Sequence, residues 1–202
     1  IDPNGEEVFQ PADLVIMAAY QLHNVHLMLL SGIGEPYNPA TREGVTGKNY
    51  AYQTNGGTSL FFKDVDFNPS YHTNHLDLDP TYKDQHGRPM MRMTFNWKPN
   101  DIRMTQFMKS KIEPLAQSMN PDIMQSSFKS QGAMYDVRPY QTTHNVGGAI
   151  MGSDPKSSAI NKFLQTWDVH NVFVMGASAF PQNIQYNPTG AVGALAYWAA
   201  EA

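Results

Sequence analysis

The sequence predicts a mixed fold, α+β and α/β combined: pieces of an α/β domain at the two ends flank an antiparallel-sheet block with helices. Three observations predict it. Near the start, "DLVIMAAY" (13–20) has the length and composition of a fully buried strand, and "NVHLMLLSGIG" follows at helical length. In the middle, "MMRMTFNW" alternates cleanly between apolar and polar residues. Near the end, "NVFVMGASAFP" is again an apolar strand, and it runs toward a helix of small residues.

The elements follow in chain order. Asn24 is expected to cap a helix over Val25 to Leu30, with Gly32 as its C-terminal stop. From Gly47 to Phe67 the chain reads as β-rich, with "GTSLFFKDVDF" the clearest part, and "DLDPTYKDQHGRP" reads as a turn-laden loop. In the alternating strand Met91, Met93, Phe95 and Trp97 share one face, with Arg92, Thr94 and Asn96 on the other. Asp101 is expected to cap a helix carrying Met104, Phe107, Met108, Ile112 and Leu115 at helical spacing, and Pro114 to bend or end it. "NPTGAVGALAYWAAEA" starts the last helix with Asn187 as cap and Pro188 at the first helical position, where its missing N–H costs nothing.

Composition narrows the function classes. A chain of 202 residues with 41% hydrophobic and 16% charged residues has the balance of an ordinary core-former. A net charge of -4 offers no basic face for nucleic acid. No apolar run approaches the ~18 residues of a membrane span. The absence of cysteine excludes disulfides, zinc–thiolate sites and iron–sulfur ligation within the chain. The chain opens at "IDPNGEE" and stops inside an alanine-rich helix at Glu201-Ala202, so it reads as a segment of something longer.

Familiar catalytic signatures are missing: "GGAIMG" lacks the GxGxxG spacing, and there is neither a Walker sequence nor GxSxG. The pairs His23/His26 and His72/His75 have a spacing that could seed a metal site, but no further ligands accompany them, and no metal is expected. Two other stretches stand out. In "THNVGGAIMG" His144 precedes Gly147 and Gly148, which would let the backbone approach a flat ligand closely. In "NPTG" a helix N-terminus would present positive potential and free N–H groups to an anion ahead of it. Taken singly, the first is more often structural and the second is ordinary capping.

Together, and in order, these stretches resemble a known family. "THNVGGAIMG", "AINKFLQTWDVHNVFVMGASAFP" and "NPTGAVGALAYWAAEA" are similar to the C-terminal part of the glucose–methanol–choline (GMC) family of FAD oxidoreductases. Upstream, "LHNVHLMLLSGIG" resembles the family's second signature, with Asn24-Val25 in place of the usual Ser-Pro, and "GVTGKNYAYQ" resembles the Val-Gly-x-Asn-Leu segment after it. Within the family the resemblance is greatest to the flavoprotein subunits of bacterial membrane-associated gluconate, 2-ketogluconate, sorbitol and fructose dehydrogenases.

The resemblance implies a division of the chain. Residues 1–54 and 141–202 would be parts of an FAD-binding domain whose dinucleotide-binding half lies outside the chain, and 55–140 would be the substrate-binding layer. It also implies that a CH–OH group of a sugar, polyol or sugar acid is oxidised by hydride transfer to flavin N5, with electrons passing to a cytochrome c or quinone chain. His144 would be the base and Asn187 the residue that orients the substrate hydroxyl. Gly47, Asn49, Gly176, Ala177, Asn187, Pro188 and Thr189 would line the cofactor, with Thr189 and Gly190 N–H groups stabilising charge on its pyrimidine edge. Gly176 stands where many members carry an Asp that hydrogen-bonds the cofactor. Arg92, Asn96 and Tyr140 are the candidates for touching substrate. Implied partners are a cytochrome c subunit, a small subunit and the remainder of the flavoprotein chain, at the periplasmic face of the inner membrane. Two other readings stay open: a GMC oxidase using dioxygen, and a non-catalytic binding module that keeps the fold.

Overall fold

The computed structural model describes residues 2, 4–52, 71–139, 143–183 and 187–202. Among them the architecture is mixed, three α-helices with four two-stranded ladders. The most N-terminal strand, β1 (Val15–Met17), pairs in parallel with β8 (Val172–Val174), Val15 opposite Val172 and Met17 opposite Val174. Two short antiparallel strands, β2 (Ala51–Tyr52) and β5 (Asn145–Val146), make a second long-range join. A parallel pair, β6 (Met151–Gly152) with β7 (Ile160–Asn161), closes the stretch between them.

β1 is a strand, but it is not the buried one expected: Leu14, Val15 and Ile16 are exposed, and of the strand's residues Met17 packs against the core. Its ladder partner covers one edge, and apolar composition by itself does not say what covers the faces. β8 meets expectation, with Val172 and Val174 both buried.

Helix α1 (Gln21–Leu30) starts three residues before Asn24. Asn24 is therefore not the N-cap; it lies in the first turn, fully buried, and its amide works outward from the helix. The carbonyl accepts the Ala19 N–H at 2.8 Å, and the amide nitrogen donates to the Met175 carbonyl at 2.7 Å. A buried amide with both ends bonded ties the helix to the chain leaving β8. The helix stops as expected, Gly32 at φ 64 taking the left-handed conformation that follows a C-cap. Its inner face supplies Val25, Met28 and Leu29, which pack with Tyr50, Leu76, Ile160, Leu164 and Val174 in the main core. Full burial of an aliphatic side chain of this size is worth ~1.5–3 kcal/mol.

The stretch read as a turn-laden loop is largely strand. β3 (His75–Lys83) pairs antiparallel with β4 (Pro89–Thr94), Leu76 opposite Met93 and Asp77 opposite Arg92. His75 opens this strand. The turn residues are absorbed locally. The Asp79 carboxylate accepts the N–H groups of Thr81 and Tyr82 where the register shifts, and Asp84 accepts those of His86 and Arg88 at the hairpin end. The alternation in β4 holds, with Met91 and Met93 packed toward the core and Arg92 and Thr94 outside. The "GTSLFFKDVDF" stretch lies outside the described residues.

Helix α2 (Pro99–Ser118) corrects the cap and narrows the expectation at Pro114. Lys98 occupies the N-cap position and Pro99 the first turn, and Asp101 serves from the third helical position, its carboxylate accepting the Lys98 N–H at 2.8 Å. Pro114 does not end the helix, which continues to Ser118. Its apolar stripe is thinly used: Ile102 is buried, but Phe107 and Leu115 are exposed. In front of it Tyr52, Phe95, Trp97 and Tyr135 form an aromatic cluster with ring centroids 4.9–5.9 Å apart, mostly edge to face.

Candidate active site

Five segments of the chain converge on a cleft of about 400 Å³. The loop after β1 gives Ala18 and Tyr20, and α1 gives Gln21. The approach to β5 gives Thr143, His144 and Asn145. The chain leaving β8 gives Met175, Gly176 and Ala177, and the start of α3 (Thr189–Glu201) gives Thr189 and Val192, with Pro188 just before it. His144 and the α3 N-terminus, far apart in sequence, therefore face one space.

α3 starts slightly later than expected. Pro188, not Asn187, takes the N-cap position, and the Val192 N–H bonds back to the Pro188 carbonyl at 2.9 Å. Boundaries of this kind shift by a residue with ease. The first turn holds no acidic side chain, Thr189 and Gly190 are exposed, and nothing stands within 4 Å of where a Cβ on Gly190 would be. The positive end of a helix of 13 residues thus lies at the cleft without an internal counter-charge.

The floor is built by the chain around α1. Asn24 fastens Met175 from below, and a 3-10 turn (Ala177–Ala179) follows Gly176, which sits at φ 125. The Ala177 carbonyl accepts the Gly147 N–H and the Ser178 carbonyl accepts that of Ala149, so the segment behind His144 and the segment after β8 are bonded to each other.

The glycine pair has a different cause from the one expected. A Cβ on Gly147 would stand 2.0 Å from the Asn49 carbonyl oxygen, and one on Gly148 2.6 Å from Val25 Cγ2. Both residues have positive φ. What the missing side chains admit is the protein's own backbone and core, not a ligand. Gly47 belongs to the same crossing: its N–H donates to the Gly148 carbonyl at 2.6 Å, and a Cβ on it would meet the Leu76 carbonyl oxygen at 1.9 Å. Asn49, at φ 58, carries the carbonyl that presses on Gly147. Gly47 and Asn49 do not line the cleft; they build the wall behind it.

Of the residues expected at the site, His144, Gly176, Ala177, Pro188 and Thr189 line the cleft together. Asn187 is exposed and directly precedes Pro188. Arg92 is engaged elsewhere, its guanidinium holding the Asp77 carboxylate through bonds of 2.9 and 2.5 Å on the outer face of the hairpin. The Asn96 carbonyl accepts the Tyr135 and Trp97 N–H groups, and Asn96 lines a separate cavity of about 540 Å³ at the start of α2. Neither reaches the cleft with His144. Tyr140 lies outside the described residues. Metal ligation finds no cluster of three or more His, Asp or Glu among the described residues, and His26 instead bonds the Pro89 carbonyl at 2.9 Å.

Sequence reading missed Tyr20, Gln21 and Asn145. The Gln21 amide donates to the Gly147 carbonyl at 2.7 Å. Tyr20 donates to the Thr143 carbonyl at 2.8 Å and accepts from the Asn145 amide at 2.5 Å. Asn145 in turn accepts from Tyr50, whose hydroxyl pKa is pushed up chiefly by burial and further by the neighbouring tyrosines. No local pattern marks these residues, because their partners lie more than 90 positions away.

A cleft of this kind, with a histidine facing a helix N-terminus across a floor of small residues, suits a site for a flat, anion-bearing group. Comparison with known proteins gives the class a name: the family model described as GMC oxidoreductase matches residues 70–196, more than half of the chain, and the chain belongs to that family. Among individual proteins it is similar to the gluconate 2-dehydrogenase flavoprotein of Pantoea cypripedii. Identity there is 43% over 282 aligned positions that take in 100% of this chain and 46% of that protein. It is also 35% identical to 2-methyl-1,2-propanediol dehydrogenase of Mycolicibacterium austroafricanum, over 61% of this chain and 21% of that one. To the fructose dehydrogenase large subunit of Gluconobacter japonicus it is 28% identical, over 64% of this chain and 22% of that one. The chain spans less than half the length of these curated relatives.

Proposed function

We propose that this chain is the C-terminal part of an FAD-dependent dehydrogenase that oxidises a CH–OH group of a sugar, polyol or sugar acid. One observation carries the reading: His144 and the N-terminus of α3, whose first turn holds no acidic side chain, face the same cleft. Relatives named as a flavoprotein dehydrogenase of gluconate, a diol dehydrogenase and a fructose dehydrogenase subunit support the substrate class.

The residues at the cleft fit the reactive end of a flavin. Ala18, Met175, Ala177 and Val192 offer an apolar lining for a flat ring, and the α3 N–H groups offer donors to its polar edge. Gly176 gives this region no carboxylate. When bound, FAD supplies the oxidant, accepting a hydride from the substrate carbon. The chain supplies the remainder. His144 accepts the hydroxyl proton, as an imidazole can at neutral pH. Asn187 holds and orients the same hydroxyl through its amide. Thr189 and Gly190 stabilise negative charge at the ring edge through their N–H groups and the helix field.

On this reading 1–54 and 141–202 belong to the FAD-binding domain and 55–140 to the substrate layer, and the long-range ladders β1–β8 and β2–β5 support an insertion of that form. The resemblance in sequence supports a cytochrome c subunit and a small subunit as partners, at the periplasmic face of a membrane.

The test is reduction of the flavin in the full-length flavoprotein, followed by absorbance under nitrogen as gluconate, other aldonates, polyols and fructose are added in turn. Bleaching by one of them, with dye reduction and no oxygen uptake in air, is the expected result. Oxygen uptake matching substrate would replace the dehydrogenase by an oxidase. The H144A enzyme is expected to keep its FAD and lose ~10²-fold or more in turnover; unchanged turnover would take the base role from His144, and a full-length protein whose flavin none of these substrates reduces would leave a binding module.

A further inference from the structure

We propose that Tyr20 is the positioning residue for His144; the inference rests on the proposed role of His144 as base. Tyr20 lines the cleft beside His144, and its phenolic oxygen bonds the residues on both sides of it. It donates to the Thr143 carbonyl at 2.8 Å and accepts from the Asn145 amide at 2.5 Å. The chain of bonds has one direction. Tyr50, fully buried, donates to Asn145, Asn145 donates to Tyr20, and Tyr20 donates to Thr143. A hydroxyl has one proton to give, so a chain of this kind sets which way each group points.

The backbone at His144 needs such a restraint. β5 begins only at Asn145 and is two residues long, paired with an equally short β2. Thr143 and His144 stand outside the ladder. Gln21, the next residue after Tyr20, fastens the other side of the strand through the Gly147 carbonyl. Consecutive side chains at the start of α1 thus hold residues 143 to 147 at three points.

Tyr20 itself sits at φ 75, a conformation that side chains with a Cβ adopt rarely, as the N-cap of α1, with no side-chain cap bond to the helix. Non-glycine residues in this region mark places where the surrounding structure imposes the conformation. Here it turns the ring away from helix capping and toward the His144 segment.

The experiment uses the full-length flavoprotein with Y20F, H144A and the double variant Y20F/H144A. Y20F removes one oxygen from a ring that is 45% exposed, so little packing is lost. Y20F is expected to bind FAD at the wild-type ratio and to keep KM within about twofold. Its rate of flavin reduction should fall ~10-fold, with a larger isotope effect from substrate deuterated at the reacting carbon, as misplacement of a reacting group predicts. In the H144A background the same change is expected to cost nothing further, because Tyr20 acts through the imidazole. Wild-type reduction rates in Y20F, a full additional loss in the double variant, or Y20F that cannot hold FAD would each overturn the proposal. If H144A itself turns over at the wild-type rate, the base assignment fails, and the role of Tyr20 fails with it.

Discussion

At residue scale the glycines behind His144 carry the most specific lesson. Gly147 lies at φ 80 with the Asn49 carbonyl oxygen where its Cβ would go. Gly147→Ala therefore meets both a strained conformation and a backbone clash, and it is expected to destabilise by ~2 kcal/mol or more. A thermal melt of the full-length flavoprotein checks this, and an unchanged Tm would show that the crossing with Asn49 is not as tight as described. Asp101 gives a pH-dependent counterpart. Burial raises its pKa above 3.8, and this outweighs the hydrogen bonds from Lys98 and Tyr71 that lower it. A carboxyl raised in the folded state binds its proton more tightly there. Its contribution to stability is present below the unfolded value and is lost as pH rises through the folded one. Asp101→Asn, which does not ionise, is expected to gain in Tm relative to wild type as pH rises above 3.8. A difference that stays flat with pH would contradict the assignment. The partner Tyr71 is pushed up to about 12, again chiefly by burial.

At the scale of elements, the hairpin and α2 show how surface chemistry can mislead a search for substrate contacts. Arg92 is paired with Asp77 across the strands on an exposed face. Exposed ion pairs are worth ~0–1 kcal/mol. Arg92→Ala is therefore expected to leave KM for the proposed substrate unchanged and to lower Tm only slightly; a several-fold rise in KM would return Arg92 to the substrate site. Pro114 sits inside α2 although proline removes one helical hydrogen bond and crowds the preceding turn, at a cost of ~3 kcal/mol in a regular helix interior. Pro114→Ala is expected to raise stability, measured as a shift of the denaturant midpoint, because the residue is exposed and no core contact is lost.

At the scale of the whole molecule, the described segments are joined by pairings between distant residues. Leu76 is a key point of attachment: it lies second in the hairpin's first strand, donates its N–H to the Gly47 carbonyl at 2.9 Å, and is fully buried in the core with α1. Leu76→Ala is expected to cost ~2–5 kcal/mol and to loosen the hairpin from the wall behind the cleft. Hydrogen exchange should then quicken at β3, β4 and Gly47 together. Exchange that quickens at β4 alone would mean that the hairpin opens independently of the cleft wall.

What the sequence by itself determined is local or carried by motif: the existence of α1, β4, α2, β8 and α3, the stop at Gly32, and membership of the GMC oxidoreductase family. Periodicity, turn chemistry and short motifs are properties of neighbouring residues, and neighbours are legible in a string. Only the tertiary structure decided that Asn24 braces Met175 and does not cap its helix, and that Gly147 and Gly148 admit Asn49 and Val25. It also decided that Arg92 and Asn96 lie away from the cleft, and that Tyr20 and Asn145 bond around His144. Each of these depends on what a residue meets across more than 30 residues of intervening chain or across a ladder. Such meetings are set by the packing of whole elements, which no local pattern encodes.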